Sequence, residues 1–547
     1  MAHGRWHMAR LGLLASFVFP AWADAAKQPE QIHIGIGQLA GEMTVHWSTI
    51  QESQSASPGD SVVMYGLSAD ELTRNSTGIS FLFQDYGIEL RSFRMHVATM
   101  TGLLPNRVYY YIVGGNRTGW SQPLSFKSHP ISAGDVQSRL PMSYAVYGDL
   151  GDYNGQTLPS LLAEARKGEL DMVLHVGDMA YDLDSDNGRN GDAWMQDIQP
   201  LAASVPYMVS HGNHEANRHF NHYTQRFRNM PSNSGTITFP EYGNVPNNWW
   251  YSWDSGLVHF VTISTEVYFA SPLAQMVAEQ HEWLEADLGA VDRTKTPWVI
   301  VLGHRPLYCS CDADCDSFAT VNRMGLKQPD GTFKYGLEEL FYKYGVDVFI
   351  AGHEHNYERM FDVSPMWDPI TPWLSGITTG STVDPPATTH IITGSAGSVE
   401  DHEPFTRPAP KRTAKRLNTY GWSKLTVYNA SHIYWQQFQT DSAQPPSTWG
   451  QVMDASWLVQ HHHGPFALHP RRDQVDNSEG KGLHPLDTSS VDMSFFKTGR
   501  RLQMQCKHAG HDQELACSDP SLAKQLVSKG RWQYTKLVDA AKPADFV

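Results

Sequence analysis

The chain has 547 residues, of which 41% are hydrophobic and 18% are charged. This length exceeds one ordinary domain and is sufficient for two or three. The net charge of −15 argues against nucleic-acid binding and against a polybasic membrane anchor, because nucleic acids and anionic lipids both attract basic surfaces. The composition is therefore typical of an acidic, multidomain globular protein.

The first 25 residues have the pattern of a secretory signal peptide. Arg5 and Arg10 form a basic start, residues 11–22 form a short apolar core, and small residues at 21–23 or 23–25 offer cleavage sites. The core is too short to span a bilayer, and no later run reaches about 18 apolar residues. An ordinary buried helix is the alternative. We therefore expect export by the secretory pathway, to the extracellular space or a lumen, without membrane association.

Three tripeptides fit the N-glycosylation sequon, at Asn75, Asn116 and Asn429. Sequons also arise by chance, and glycosylation requires a host with that pathway. The three positions are therefore expectations that depend on export.

Five cysteines suit an exported protein with a few disulfides. Cys506 and Cys517 are candidates to close a small loop. Cys309, Cys311 and Cys315 are close in sequence, so the simplest arrangement is one disulfide and one odd thiol. A thiolate zinc site is the alternative, although the sequence reveals no fourth ligand.

Residues 30–130 predict an all-β domain. Segments that alternate polar and apolar residues recur between turn residues, as in a β-sandwich, at 32–36, 43–47, 61–65 and 108–113. No catalytic cluster occurs there, so we interpret this part as a structural or docking module. A linker follows at about 129–141.

The pattern then changes to alternating strands and helices. The predicted strands are 143–147, 171–176, 207–210, 258–263, 298–302 and 346–351, and the predicted helices are 158–166, 280–288 and 336–344. This alternation predicts a layered α/β domain, whose sheets bind ligands at the carboxyl ends of strands. The β pattern resumes at 389–440 and no usable periodicity follows Ser442. Three histidines at 461–463 are more typical of a solvated loop than of a weak metal site.

Polar motifs that begin with glycine follow five of the predicted strands. In chain order they are Gly148-Asp149-Leu150-Gly151-Asp152, Gly177-Asp178-Met179-Ala180-Tyr181, Gly212-Asn213-His214-Glu215, Gly303-His304-Arg305 and Gly352-His353-Glu354-His355. Glycine permits sharp turns that let side chains converge. His353 and His355 share a face if that segment stays extended, which points Glu354 the other way. Each motif is weak alone, but five in this order indicate one site.

The side chains in these motifs are selective for certain metals. Carboxylates, an amide oxygen, imidazoles and a phenol suit hard to borderline cations, and the absence of thiolates disfavours an iron–sulfur cluster. Seven such groups are too many for one tetrahedral ion. They suit two ions with positions left for substrate and water, an arrangement that clamps a phosphoryl group.

This ordered set resembles the metallophosphoesterase superfamily, and Tyr181 in its motif narrows the resemblance to the purple acid phosphatases. The resemblance covers about residues 30–440, and Gly303 to Ser310 is similar to the long, animal-type branch. It implies an α+β multidomain fold in which a fibronectin-III-like sandwich (30–130) precedes a four-layer αββα metallophosphoesterase domain (140–442) that includes a C-terminal β segment (385–442). A signal peptide (1–25) and an extension of unknown role (443–547) complete the predicted organisation.

The resemblance also implies roles for individual residues. Asp149, Tyr181 and His355 would hold Fe(III), Asn213, His304 and His353 would hold a divalent ion (Zn, Fe or Mn), and Asp178 would bridge the two. A metal-bound hydroxide would attack the phosphorus of a small phosphate monoester. His214 would bind phosphate or protonate the leaving group. Asn213 and Arg305 are further candidates for substrate contact, although Arg305 is equally consistent with a structural role. The oligomeric state is not predicted.

The chain departs from the family's plant enzymes, which carry a histidine pair several residues past the motif that contains His304. Residues 309–315 contain no histidine here, which leaves the substrate contacts in that region open. Glu215 is expected either to assist His214 or to pair with a neighbour, and Asp152 is expected outside the ligand set. We also expect an ion pair between Glu358 and Arg359.

Two other functions are compatible with parts of this pattern. The same site is suited to hydrolysis of phosphodiesters or nucleotide pyrophosphates, because the sequence does not define the pocket walls. A secreted binding protein with a vestigial metal site is the other alternative. Loss of a ligand would favour it, and none of the seven is missing.

Overall fold

The computed structural model describes residues 28–50, 61–269, 273–311, 314–365 and 378–466, together with three strands between 502 and 539. The predicted signal peptide lies outside the described residues. The chain divides into two compact units, residues 1–268 with 275–468, and residues 269–274 with 469–547. Among the helices in the described ranges, none has the length and apolar character needed to cross a membrane.

The first unit begins with a β-sandwich, as the alternating segments predict. Its strands are β1 (Glu30–Ile36), β2 (Met43–Thr49), β3 (Val62–Gly66), β4 (Arg74–Thr77), β5 (Ile79–Gln84), β6 (Ser92–Met100), β7 (Val108–Gly115), β8 (Gly119–Trp120) and β9 (Leu124–Lys127). One sheet has the order β1-β2-β6-β5, and the other has β4-β3-β7 with β8 and β9 both paired to β7. Apolar members of the alternation, such as Trp47, Met95 and Val113, are fully buried.

A larger domain with two sheets follows the sandwich in the same unit. Its first half contains α1 (Ala133–Arg139), β10 (Met142–Tyr147), β11 (Leu150–Gly151), α2 (Leu158–Arg166), β12 (Met172–Val176), β13 (Met179–Ala180), α3 (Arg189–Ala202), β14 (Tyr207–Ser210), α4 (Asn217–Arg226), β15 (Thr236–Phe239), β16 (Gly243–Pro246), β17 (Tyr251–Ser255) and β18 (Val258–Thr262). Its second half contains α5 (Ala274–Ala290), β19 (Trp298–Leu302), α6 (Asp314–Met324), β20 (Gly325–Lys327), β21 (Phe333–Tyr335), α7 (Leu337–Tyr344), β22 (Val348–Ala351), β23 (Tyr357–Asp362), β24 (Thr389–Thr393), β25 (Thr413–Leu417), β26 (Gly421–Asn429), β27 (His432–Gln439) and β28 (Val452–Val459).

The two sheets of this domain each contain a parallel core. One has the order β14-β12-β10-β26-β27-β28, and the other has β17-β18-β19-β22-β24-β23-β25. Strands β10, β12 and β14 are parallel, as are β18, β19, β22 and β24. Parallel strands are covered on both faces, which explains why their sequences are continuous apolar runs.

The sheets pack face to face and helices cover their outer sides. The rings of Tyr144 on β10 and Phe260 on β18 have centroids 5.0 Å apart. On one outer face, the indole nitrogen of Trp422 donates to Ser160 of α2 at 3.0 Å. On the other, Phe341 of α7 packs against Phe349 of β22. The predicted four-layer αββα arrangement is confirmed.

The six-stranded sheet continues beyond the predicted domain end at residue 442. Strand β28 pairs with β27 along its length. Its Asp454 accepts hydrogen bonds from Arg359 of β23 at 2.7 and 3.0 Å. The predicted boundary is therefore one strand short.

The expected pair of Glu358 with Arg359 is also wrong, because Glu358 instead accepts a hydrogen bond from the Ser310 hydroxyl at 2.5 Å.

The second unit contains a small antiparallel sheet within the predicted extension. Its strands are β29 (Leu502–His508), β30 (Glu514–Cys517) and β31 (Trp532–Asp539), in the order β30-β29-β31. Cys506 and Cys517 lie on neighbouring strands, with Cys506 opposite Leu515 and Cys517 opposite Met504. Their pairing stays a prediction.

Candidate active site

All five glycine-led motifs lie at the carboxyl ends of strands. Three follow β10, β12 and β14 of one sheet, and two follow β19 and β22 of the other. Backbone hydrogen bonds join neighbouring motifs: Asp149 donates to the Gly177 carbonyl at 3.0 Å and Gly352 to the His304 carbonyl at 2.9 Å. The motifs therefore meet at one edge of the two-sheet core.

Two of the motif glycines leave space for candidate ligands. A Cβ on Gly177, whose φ is +90°, would lie 2.4 Å from Nδ1 of His304. A Cβ on Gly352 would lie 2.5 Å from Oδ2 of Asp149. Any larger residue at either position would have to displace a ligand, and the positive φ of Gly177 favours glycine there for a second reason.

One group of predicted ligands consists of Asp149, Tyr181 and His355. The Tyr181 hydroxyl lies 2.8 Å from Nε2 of His355 and 3.2 Å from Oδ1 of Asp149, and the last two atoms are 3.5 Å apart. All three side chains are buried. Nδ1 of His355 lies 3.0 Å from the Ser398 hydroxyl. This contact on the far side of the ring orients Nε2 towards the phenol, as is usual for histidines that bind metals.

The second group consists of Asp178, Asn213, His304 and His353. Nε2 of His304 lies 3.1 Å from Oδ2 of Asp178, 3.1 Å from Oδ1 of Asn213 and 3.2 Å from Nδ1 of His353. Nδ1 of His304 lies 2.9 Å from the Val176 carbonyl, which fixes this nitrogen as the donor. Nε2 of His304 therefore faces three other electron-pair donors.

The two groups are adjacent. The backbone nitrogen of His353 donates to Oδ2 of Asp149 at 3.0 Å, and that of His214 donates to Oδ1 of Asp178 at 3.0 Å. Asn213, His353 and His214 are partly exposed, whereas Asp149 and Tyr181 are buried. The structure thus brings all seven predicted ligands together and leaves the second group open to an approaching molecule.

The backbone around His353 differs from the extended chain that the sequence predicts. Glu354 N donates to the Gly352 carbonyl at 2.9 Å and Asn356 N to the Glu354 carbonyl at 2.6 Å, while His353 has φ +71°. These hydrogen bonds between residues i and i+2 form tight γ-type turns rather than a strand. His353 and His355 nevertheless reach one site, and Glu354 points elsewhere, as predicted.

The electrostatics of the seven groups fit bound cations. Burial raises the pKa of Asp149. Burial opposes ionisation of Asp178, but His304 and His214 hold its pKa far below its usual range. Burial and the charges of Asp149 and Asp178 raise the pKa of Tyr181 well above its ordinary value, so a phenolate there requires a strong cation at its oxygen. The oxygen and nitrogen donors suit hard to borderline metals.

His214 lies over the second group and is held by acidic side chains. Nδ1 lies 2.5 Å from Oδ1 of Asp182, and Nε2 lies 3.7 Å from Oε1 of Glu400 and 3.9 Å from Oδ2 of Asp178. Burial lowers the pKa of His214, but Asp178, Asp182 and Glu400 outweigh it and raise the pKa to about 12. The sequence analysis missed Asp182 and Glu400. Asp182 directly follows Tyr181 and was detectable, whereas Glu400 lies in the loop after β24 without a motif.

Other residues of the motifs have supporting contacts. Nε of Arg305 lies 2.9 Å from both carboxylate oxygens of Glu266, and Nη1 lies 2.9 Å from Nε2 of His353. Arg305 therefore bridges a carboxylate to a candidate ligand. Glu215 accepts hydrogen bonds from the backbone nitrogens of Gly212, Asp178 and Met179 at 2.8–3.1 Å, so it pairs with neighbours rather than with His214. Asp152 lies outside both ligand groups.

The structure also locates the clustered cysteines, the three glycosylation sequons and two rings of the triple histidine. Cys309 and Cys315 form a disulfide and Cys311 is a buried thiol, which confirms one pair and one odd thiol. Asn75, Asn116 and Asn429 are all exposed. In the triple histidine, His461 contacts Asp384 and His463 contacts Asp347, so these two rings do not share one partner.

Comparison with known protein families gives three matches along the chain. They are the purple acid phosphatase N-terminal domain at residues 29–128, the calcineurin-like phosphoesterase at 142–357, and the iron/zinc purple acid phosphatase-like protein C-terminal domain at 387–454. Together they follow the sandwich and both sheets of the larger domain.

Several relatives match most of the chain. Acid phosphatase type 7 of Danio rerio is 38% identical over 449 residues, which are 80% of this chain and 93% of the relative. The Homo sapiens protein of the same name is 37% identical over 82% of this chain and 94% of its own length. Among solved structures, a purple acid phosphatase from yellow lupin seeds has a TM-score of 0.59 at 22% identity, covering 79% of this chain and 75% of that one. This last similarity concerns the fold.

Proposed function

The chain belongs to the purple acid phosphatase family and is a dinuclear-metal phosphatase that hydrolyses phosphate monoesters, and we propose how its residues divide the metals. Asp149, Tyr181 and His355 hold Fe(III). Asn213, His304 and His353 hold a divalent ion, for which Zn, Fe and Mn are the candidates, and Asp178 serves both. The observation that carries this division is the single phenol, 2.8 Å from His355 and 3.2 Å from Asp149, because an anionic phenolate suits a trivalent ion.

When bound, the two ions supply Lewis acidity for displacement at phosphorus. The chain's own residues bind and orient the substrate. The phosphate approaches over Asn213 and His214, which together with His353 are the partly exposed members of the site. Asp182 holds Nδ1 of His214 at 2.5 Å, so the Nε2 proton points into the site and is available to a phosphate oxygen or to the leaving group, a contribution worth about 10²–10⁴-fold.

Arg305 acts through His353 in this proposal. Its guanidinium is held by Glu266 and contacts the ring nitrogen of His353 that faces away from the ligand group. A guanidinium can only donate, so Arg305 limits the position of the imidazole ring and does not accept the Nε2 proton of a metal-binding histidine. Direct contact with substrate is the role first expected for Arg305, but its Nε and Nη1 are engaged by Glu266 and His353, and we therefore favour the positioning role.

The metal assignment is tested by metal analysis and visible absorption. We expect one iron and one divalent ion per chain, together with a tyrosinate-to-iron absorption band and hydrolysis of an aryl phosphate. Tyr181→Phe should lose the band because it lacks the phenolate oxygen. A colourless wild-type protein with less than one iron per chain would contradict the proposal.

The shared role of Asp178 is tested separately. Asp178→Ala should lose both metals and activity together, because each ion loses a ligand. Asp152→Ala is the matched control, since Asp152 belongs to a glycine-led motif but lies outside both ligand groups, and it should retain both ions. Retained turnover in Asp178→Ala would refute the bridging assignment.

Export and glycosylation belong to the same proposal. The apolar start of the chain and three exposed sequons at Asn75, Asn116 and Asn429 support them. Secretion by a eukaryotic host should yield a chain that begins near residue 24 or 26 and loses mass on treatment with an N-glycosidase. An intact N-terminus in the cell fraction would refute export.

A further inference from the structure

A second cluster of potential metal ligands lies beside the segment that carries His353 and His355. The sulfur atoms of Cys309, Cys311 and Cys315 and a carboxylate oxygen of Glu354 all lie within 4.8 Å of one another. These four residues are 1–3% exposed. Glu354 is the residue between the two histidines, and its side chain points away from the site that they join.

The spacing of the four side chains is close to that of a tetrahedral shell. Sγ of Cys311 lies 2.5 Å from Oε2 of Glu354 and 3.3 Å from Sγ of Cys315, which is 3.9 Å from Oε1 of Glu354. Zinc–sulfur bonds of about 2.3 Å and zinc–oxygen bonds of about 2.0–2.2 Å place neighbouring ligands about 3.4–3.8 Å apart. Small side-chain movements therefore suffice to enclose an ion.

Glu354 supplies the fourth ligand, which the cysteine segment does not itself provide. Three cysteines within seven residues provide three ligands, but no fourth is evident nearby in sequence. Glu354 lies 43 residues after Cys311, and only the fold brings them together. Its carboxylate faces three sulfur atoms, and the negative charge of this group attracts a cation to the space between the four side chains.

We propose that Cys309, Cys311, Cys315 and Glu354 form a redox-dependent zinc site, separate from the dinuclear centre. In the structure Cys309 and Cys315 are joined by a disulfide, which is the oxidised form of the site. A dithiol reductant supplies two electrons and two protons, which cleave the disulfide to two thiols while the reductant becomes a disulfide. Zn²⁺ then displaces the three thiol protons and binds the thiolates and the Glu354 carboxylate.

Two arginines compensate the charge of the reduced site. Three thiolates, one carboxylate and Zn²⁺ sum to a charge of −2. Nη2 of Arg412 donates to the Cys309 carbonyl and Nη2 of Arg416 to the Ser310 carbonyl, both at 2.9 Å. These guanidinium groups lie at the backbone of the cysteine segment and favour thiolates over thiols.

The experiment uses Co²⁺ as a spectroscopic substitute for zinc. The full chain with Cys506→Ser and Cys517→Ser, which leaves only the three clustered cysteines, is reduced with a phosphine and titrated with Co²⁺. We expect one thiolate-to-cobalt charge-transfer band per chain that is bleached by one equivalent of Zn²⁺ and is absent from unreduced protein. The dinuclear site contains no thiolate, so Asp178→Ala should leave the band in place.

Variants of the fourth ligand complete the test. Glu354→Gln and Cys311→Ser should each weaken Zn²⁺ binding at least tenfold, whereas Glu164→Gln, at a buried glutamate of α2 that pairs with Lys167 and Lys424, should not. If Glu354→Gln fails to fold, the test is alkylation of the reduced chain that carries Cys506→Ser and Cys517→Ser, followed by mass spectrometry. Zn²⁺ should protect its three thiols from alkylation. Absence of the band, its persistence in Cys311→Ser, or alkylation unaffected by Zn²⁺ would overturn the proposal.

Discussion

Asp192→Asn is expected to destabilise the contact between the sandwich and the phosphoesterase domain. Oδ1 of Asp192, on α3, accepts hydrogen bonds from Arg226 at 2.8 Å and from Gln31 at 3.2 Å, and Oδ2 accepts one from Arg91 at 2.8 Å. Gln31 and Arg91 belong to the sandwich, whereas Asp192 and Arg226 belong to the larger domain. Arg226 is completely buried. The carboxylate therefore neutralises charge from both sides of the contact.

The magnitude follows from the burial of Arg226. Removing one member of a buried ion pair costs about 3–5 kcal/mol, because the remaining charge keeps its desolvation penalty without compensation. Asparagine retains the shape of the side chain but directs either a neutral oxygen or an NH₂ group at two guanidinium groups. We expect a loss of this size in the free energy of unfolding at neutral pH.

The pH dependence has a defined sign. Burial raises the pKa of Asp192, but Arg226 and Arg91 outweigh it and lower the pKa below the ordinary 3.8. A depressed carboxylate pKa contributes stability that is present above the unfolded pKa and is lost as pH falls through the folded one. The difference between wild type and Asp192→Asn should therefore persist at moderately acidic pH and shrink only below about pH 4.

Urea denaturation followed by tryptophan fluorescence and by activity provides the measurement. Asp186→Asn is the matched control, because the side chain of Asp186 is 71% exposed and lies 3.4 Å from Arg189. Exposed pairs of this kind contribute about 0–1 kcal/mol. If Asp192→Asn shifts the urea midpoint no more than Asp186→Asn does, the buried network does not stabilise the contact and the reasoning fails.

Two further predictions concern a histidine outside the active site and a glycine of the active-site motifs. His259 lies 2.7 Å from Asp254 and 3.0 Å from Asp287; burial lowers its pKa, but the carboxylates raise it from 6.5 to about 9. The raised pKa contributes roughly 2 kcal/mol of stability after screening by solvent. This contribution is fully present below pH 6.5 and is lost as pH rises through about 9. Wild type should therefore unfold at a higher urea concentration than His259→Gln at pH 6.5, and this difference should disappear by about pH 9. Gly352→Ala places a Cβ 2.5 Å from Oδ2 of Asp149, so this variant should lose bound metal and activity. Metal content and aryl-phosphate turnover measure the two losses. Gly134→Ala is the control and should match wild type, because its Cβ would meet only one atom, at 3.8 Å.

The buried parallel strands could be predicted closely, and other elements could not. The bounds predicted for β14 and β19 are those observed, because strands covered on both faces are continuous apolar runs. Helix α3 was missed because Gly191 and Pro200 weaken the helical signal and polar residues such as Asp192 are buried in its first turn. Its apolar stripe, which includes Trp194, Ile198 and Leu201, begins only after that turn. Strand β28 was missed because it lies at a sheet edge with half-exposed side chains.

The candidate site was predictable where ligands directly follow strands. The order of the five motifs identified all seven convergent side chains, because the carboxyl ends of parallel strands share one edge. The contacts of Arg305 with Glu266 and of His214 with Glu400 were not predictable, since each joins residues that only tertiary packing brings together. The positive φ of His353 likewise depends on hydrogen bonds to its neighbours in the folded site rather than on a sequence signal.

The segment from Gly352 to Asn356 separates two kinds of ligand by alternating side chains. Its consecutive turns between residues i and i+2 keep the alternation that an extended chain would give, although the backbone is not a strand. His353 faces His304 and Asp178, His355 faces the phenol of Tyr181, and Glu354 faces three sulfur atoms. Thiolates favour soft and borderline metals, whereas carboxylates and phenolate favour hard ones. A single five-residue segment thus places donors of different hardness on opposite sides, and this separation lets a thiolate site exist beside the phosphatase centre without exchanging ligands with it.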